Sequence, residues 1–344
     1  MNYFFFTNLC KNCFLFLIIF FSYTFPAFSE PGISVFMYHR FGENKYPSTN
    51  VTEKQFLSHL DYILDKQIKI FSLEEIIRTL DRNEKFNDKA VAFSVDDAYS
   101  SFYEIAWPLF RENNIPVTLF VSTDIIDKKT KGYMNWSEIR QFLEEGGNVG
   151  QHTSTHLHMP LNNVSDIKKD ILNSHKSWIK NIGFIPSLFA YPYGETSNEV
   201  IEILKEFNIS HAFGQHSGVI SSYDNHYYLP RFSLNERFGE MDRFKFAVDA
   251  YSLDIKNFLP SDMYLVDDKK PSIEFSIIEN LKGSSIDCFS NPGGKWDKQK
   301  IINIKKDRVQ IKLSEAYLDG RARINCTTKV DDKWYWFGYQ FLVK

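Results

Sequence analysis

The chain has 344 residues, 43% of them hydrophobic and 24% charged, with a formal net charge of −3. That length accommodates one large domain, or one large and one small. The composition is that of a globular protein, and the near balance of charge gives no ground for a nucleic-acid partner or a polybasic membrane patch.

Residues 1–29 read as a secretory signal peptide. Lys11 precedes the apolar run Phe14 to Phe21, and Pro26, Ala27 and Ser29 form a small-residue cleavage site before Glu30. The run is short for a bilayer span of ~20 residues, so cleavage rather than a stable membrane span is expected. Export to the periplasm or the extracellular space follows. Cys10 and Cys13 leave with the leader, whereas Cys288 and Cys326 remain as a pair for a disulfide in an oxidising compartment.

From Ile33 to about residue 230, strand and helix signals alternate. Ile33 to Tyr38 is strand-like, and Thr52 with Gln55 forms a capping box ahead of Phe56, Leu60, Ile63 and Leu64 on one helical face. Ser72 and Glu75 repeat the device. Ala90 to Phe93 and Ile115 to Val121 are apolar runs of buried strands. A helix is expected from Ser137 to Glu145, closed by Gly146, and another capped by Ser165 through Ile182. Leu188 to Ala190, a helix capped by Ser197, and His211 to Phe213 complete the series. Repeated β–α units imply a parallel sheet, and their number suits a barrel. After about residue 255, alternating β-formers such as Ser272 to Ile277 and Val309 to Leu313 predict a small all-β, sandwich-like domain. The expected division is 1–29 leader, 30–250 barrel and 251–344 β-domain. Within Trp334-Tyr335-Trp336-Phe337, strand alternation puts the two tryptophans on one face and Tyr335 and Phe337 on the other.

Four polar clusters each follow an apolar strand: Asp96-Asp97, His152 to His156, Tyr191 to Gly194 and Gly214 to His216. In a β/α barrel such positions share one rim. Two carboxylates and two imidazoles there suffice to hold one divalent metal and leave a general base. The strand end points Asp96 and Asp97 in opposite directions, and the i,i+4 spacing brings His152 and His156 onto one turn. No glycine-rich nucleotide loop follows any strand. His158 is expected outside the metal set; His39, after the first strand, could line the cleft, but a structural role is expected for it.

Together these motifs resemble the polysaccharide deacetylases, carbohydrate esterase family 4 with the NodB homology domain, over about residues 33 to 235. Ser94 to Asp97 is similar to the family's T-F-D-D, His152 to His156 matches H-[ST]-x-x-H, and Phe189 to Gly194 is similar to R-x-P-Y-G. The resemblance implies a deformed (β/α) barrel, Asp96 as base, and Asp97, His152 and His156 holding a divalent metal, Zn2+ first. It also implies the backbone N–H of Tyr193 as oxyanion donor. Two positions depart from the family. Ala190 replaces the arginine that orients the base, for which Arg231 is the candidate. The fifth motif, which carries the acid, has no clean match, leaving His216 with His211 as runner-up. The expected activity is removal of N-acetyl groups from an N-acetylhexosamine polysaccharide. An O-acetyl esterase and a non-catalytic carbohydrate-binding protein on the same fold are the alternatives.

Overall fold

A computed structural model describes residues 30–344 except 279, 280, 282, 283 and 306. The expected signal peptide lies outside the described residues. No helix among them is long and apolar enough to cross a membrane.

Seven parallel strands form a curled half-barrel. They are β1 (Ile33–Tyr38), β2 (Ala90–Asp96), β3 (Val117–Val121), β4 (Asn148–Gln151), β5 (Leu188–Ala190), β6 (His211–Phe213) and β7 (Phe232–Ser233). Their spatial order is β6-β5-β4-β3-β2-β1-β7. Strands β1, β2 and β3 are buried along their whole length, as continuous apolar runs between two covered faces require. The gap between the edge strands β6 and β7 is bridged by the intervening chain. Phe213 pairs with Leu229, and the amide of Arg231 donates to the His216 carbonyl at 2.9 Å.

The covering helices follow their capping signals. Helices α1 (Glu53–Asp65) and α2 (Leu73–Asp81) both begin with complete capping boxes, at Thr52/Gln55 and Ser72/Glu75. The helix expected at Ser137 starts one residue earlier, at Trp136, because Asn135 and Glu138 form a third box. The cap expected at Ser165 is Asn163, whose side chain accepts from the Asp166 amide. A further helix, Met241–Asp249, was not anticipated from the pattern.

The C-terminal region is mostly strand. Tyr251–Ser252, Tyr264–Leu265, Asp287–Ser290, Asp297–Lys298, Gly320–Val330 and Lys333–Val343 make a six-stranded sheet. Ile255–Leu259, Ile273–Ile277, Lys300–Asn303 and Arg308–Lys312 make a four-stranded one. Ile273, Phe275 and Ile311 of the smaller sheet share one core with Ile324, Cys326 and Phe341 of the larger. Cys288 and Cys326 sit opposite each other in register and form the disulfide. Tyr335 enters this core, while Trp334 stays 40% exposed and Trp336 packs against the barrel. The aromatic run is therefore split between core and surface.

The two parts meet backbone to backbone. A Cβ at Gly338 would run into the Ser217 carbonyl oxygen. The side chain adds to this: Gln340 Nε2 donates to the carbonyls of Tyr193 and Gly194, at 3.1 and 3.0 Å. Gly338→Ala should therefore lower the thermal unfolding midpoint, with an overpacking cost of ~1–3 kcal/mol; an unchanged melt would show that this contact does not hold the sheet to the barrel.

Candidate active site

The four strand-end clusters do meet, but by loop conformation more than by strand alternation or helical spacing. Strand β2 ends at Asp96, and the next two residues, Asp97 and Ala98, take left-handed backbone at φ 75° and 55°. Non-glycine residues rarely sit there without cause. This turn, rather than strand pleating, separates the two carboxylates. His152 to His156 is likewise no helical turn: Thr153 and His156 have φ of 64° and 56°. The loop is clamped by Asp170 of the helix Val164–Asn181. One Asp170 oxygen accepts from the Ser154 amide at 2.6 Å, and the other from the Thr155 amide and hydroxyl at 3.2 and 2.6 Å. Ser122 donates to the His152 carbonyl at 2.7 Å from the other side.

The result is a compact set. Asp97 Oδ1 lies 3.5 Å from His152 Nε2 and 3.4 Å from His156 Nε2. His152 Nδ1 sits 2.7 Å from the Ala190 carbonyl oxygen, so it carries the proton and leaves Nε2 a lone pair. That Nε2 is buried with no hydrogen-bond partner. Burial, then the neighbouring His152, pushes the His156 imidazole down to about 4, which keeps it neutral. One carboxylate and two imidazoles at this spacing fit a divalent metal with a position left open. Ala190, where the family carries arginine, contributes its carbonyl instead.

Asp96 is fully buried and faces Arg231, itself fully buried. The guanidinium makes a two-pronged contact, Nη1 to Oδ1 at 2.7 Å and Nη2 to Oδ2 at 2.8 Å. Burial alone would raise the Asp96 carboxyl, but the Arg231 guanidinium outweighs it and holds it below the ordinary range. Arg231 reaches Asp96 from the segment that closes the barrel, and its Nε is fixed on the Gly214 carbonyl at 2.9 Å.

Tyr193 has φ 60° within the Tyr-Pro-Tyr-Gly turn. Its ring stacks on His158 at 3.8 Å and meets the His156 ring edge-on at 4.4 Å. His158 in turn is held by Glu195 at 2.6 Å. His158 thus braces the turn without entering the metal set.

The remaining histidines separate. His216 lines the cleft but is 4% exposed, with its ring against Tyr228 at 4.3 Å. Burial, then Arg323 and Arg231, push it down to about 3, so an imidazolium is unfavourable there. His211 is at the opposite, N-terminal end of its strand, beside Asp81 and His226 and away from the cleft. His39, given a structural role from sequence, lines the cleft with an unpartnered Nδ1. Burial lowers its imidazole; Asp97 and Asp96 pull it up, and Arg231 and His152 push it down again. The rule that found the other clusters, a polar residue just past a strand end, also selects His39. The cleft is about 1170 Å³ and is lined by barrel loops and by the C-terminal sheet.

Fold and cleft define a deformed (β/α) barrel of the deacetylase type. The family model described as polysaccharide deacetylase matches residues 83–212. The chain is 22% identical over 213 residues to a poly-beta-1,6-N-acetyl-D-glucosamine N-deacetylase of Staphylococcus aureus, spanning 58% of this chain and 73% of that one. It is 26% identical over 202 residues to the Staphylococcus epidermidis protein of the same name, spanning 55% and 70%. Among solved structures, IcaB from Ammonifex degensii shares the fold at a TM-score of 0.57 and 22% identity, covering 64% of this chain and 99% of that one. The Streptococcus pyogenes deacetylase PplD, in complex with acetate, does so at 0.55 and 20%, covering 60% and 94%. The chain thus resembles the polysaccharide deacetylases over its barrel, with a C-terminal β region added to it.

Losing the loop clamp should loosen both imidazoles without touching either. Asp170→Ala is expected to weaken metal affinity by ~10–100-fold, the range found for outer partners of metal ligands. Metal titration against a chromophoric chelator measures it; unchanged affinity would mean that the loop holds itself.

Proposed function

We propose that the protein is an exported, metal-dependent hydrolase that removes N-acetyl groups from an N-acetylhexosamine polysaccharide. The observation carrying this reading is an Asp–His–His set that reaches the cleft through Asp97 and His156, with the buried, arginine-held Asp96 next to Asp97 in the chain. Asp97, His152 and His156 would hold the metal, and three nitrogen and oxygen donors favour Zn2+. Such an ion supplies Lewis acidity, polarising an amide carbonyl and lowering the pKa of a water toward ~7.

The chain's own residues do the rest. Asp96 takes the proton of the attacking water as a C–O bond forms at the acetyl carbon. Arg231 fixes the carboxylate plane and keeps it charged, and each oxygen retains a second lone pair for that proton. The backbone N–H of Tyr193 donates to the developing oxyanion. The C–N bond then breaks, and a protonated histidine supplies the proton to the leaving amine. We assign that step to His39 rather than His216. Burial lowers both imidazoles, but His39 lines the cleft with an unpartnered Nδ1 and has Asp97 and Asp96 favouring its charged form against Arg231 and His152. His216 has only Arg323 and Arg231, which oppose it.

The names of the staphylococcal relatives support an N-acetylated polymer as substrate. The expected leader over residues 1–29 and the Cys288–Cys326 disulfide support export to the periplasm or beyond. Pairing of Tyr251–Ser252 with the last strand supports a division of barrel and β-domain near residue 250.

Acetate release with parallel metal analysis tests the roles. His152→Ala and His156→Ala should lose metal and activity together. Arg231→Lys, which keeps the charge but not the two-pronged contact, should keep its metal and lose most turnover. A metal-free Arg231→Lys protein, or a fully active one, would break the separation of base and metal ligands.

The acid assignment has its own comparison. His39→Ala should lower kcat by ~10²–10⁴ with metal content intact, and His216→Ala should lower it far less. The reverse order would return the role to His216.

A further inference from the structure

The barrel builds only one wall of the cleft. The other is the six-stranded C-terminal sheet, which contributes Trp296, Arg321, Arg323 and Trp334. Trp296 is 51% exposed and Trp334 40%. Flat apolar rings left in water beside a polar centre are surfaces that the C–H face of a sugar covers well. Arg321 and Arg323 stand two residues apart on one strand and so share a face. The Arg321 guanidinium lies 5.9 Å from the Tyr193 ring, one aromatic ring away from His156. Arg323 Nε donates to Gln340 Oε1 at 2.8 Å, and Gln340 holds the Tyr193 turn. The pair is therefore built rigidly against the catalytic turn. Arg237 and Arg243 add two cations from the barrel side.

This charge is not balanced within the protein. Among the described residues, no carboxylate pairs with any of the four arginines. Of the carboxylates lining the cleft, Asp97 faces the two histidines and Asp124 is held by Lys128 at 2.6 Å. Burial, then the adjacent Arg321, pushes Arg323 down to about 10. A neutral polymer would leave that repulsion in place, and each acetyl removed would add an ammonium beside it. A planar guanidinium fork instead matches a carboxylate, oxygen for nitrogen.

We propose that the cleft binds an N-acetylated glycan that also carries carboxylates, with Arg321 and Arg323 gripping a carboxylate near the sugar that reacts. The proposal rests on the deacetylase reading of the same centre, but it is tested by binding alone. Tryptophan fluorescence titrations compare a hyaluronan octasaccharide, which alternates N-acetylglucosamine with glucuronate, against neutral chitohexaose. Hyaluronan should bind at least ~10-fold more tightly, with the advantage shrinking as salt rises. R321Q/R323Q should abolish the preference and R321K/R323K retain part of it. Should the glutamine variant fail to fold, carboxyl-reduced hyaluronan replaces it and should bind the wild-type protein ~10-fold more weakly. Equal or tighter binding of the neutral sugars overturns the proposal, as does a preference that survives R321Q/R323Q. Absence of acetate release would sink the catalytic reading and leave this result standing.

A second observation stands apart from the cleft. Asp81 ends α2, His211 begins β6 and His226 lies on the chain returning beside it, and their ligand atoms fall within 4.8 Å of one another. His211 Nε2 is 3.4 Å from Asp81 Oδ1, and the two imidazoles stack at 5.0 Å. His211 is 2% exposed, yet neither of its ring nitrogens makes a hydrogen bond among the described residues. Ligands ~2.0–2.1 Å from a tetrahedral ion stand about 3.4 Å apart, the separation seen here and in the cleft. We infer a second, structural site for a divalent cation such as Zn2+, tying helix, strand and returning chain at the bottom of the barrel. His152→Ala protein loaded with zinc should still bind one equivalent, lost in H152A/H226A. No bound zinc in the first variant, or one equivalent remaining in the second, overturns it.

Discussion

The buried contact between Arg231 and Asp96 is the constraint on which the rest of the site depends. A carboxylate with no exposure stays charged only beside a fixed cation, and both guanidinium prongs are engaged here at 2.7 and 2.8 Å. Removing either partner would leave an uncompensated buried charge, a change that typically costs ~3–5 kcal/mol. The contact also joins distant parts of the chain. Asp96 ends the central strand β2, whereas Arg231 lies in the segment that closes the barrel beside β6. Barrel closure and the charge state of the proposed base are thus one structural event.

The second constraint is the C-terminal sheet. Its last strand places Gly338 against Ser217 and Gln340 against the Tyr193 turn. The turn that is proposed to steady the oxyanion is therefore held from outside the barrel as well as by His158 within it. The same sheet brings arginines and tryptophans to the cleft wall. Scaffold and cleft wall are one element in this protein, which explains how a half-barrel with an open side still encloses a large cleft.

Much of this was legible in the sequence, for physical reasons that differ by element. The parallel sheet, the capping boxes at Thr52 and Ser72, and the meeting of Asp97, His152 and His156 follow from short-range patterns and from strand ends sharing a rim. The route to that meeting was not legible. Left-handed backbone at Asp97, Ala98, Thr153 and His156 depends on tertiary clamps such as Asp170, which sits in an ordinary amphipathic helix and carries no local signal. The hold of the Ala190 carbonyl on His152 is equally invisible, because every residue offers a carbonyl. His39 was within reach: it obeys the strand-end rule but stands alone, without a cluster to draw attention. What holds His216 neutral is burial first and then Arg323 of the C-terminal sheet, both tertiary effects beyond any local reading.

The central claim is that this centre hydrolyses an amide, not an ester, and does so with a bound metal. The most direct measurement is a simultaneous count of acetate and free amine released from an N-acetylhexosamine polymer, before and after chelation and zinc repletion. The account predicts equal molar amounts of both products, loss of both on chelation, and recovery of both with zinc. Acetate without amine, or turnover that persists in the fully chelated protein, would contradict it.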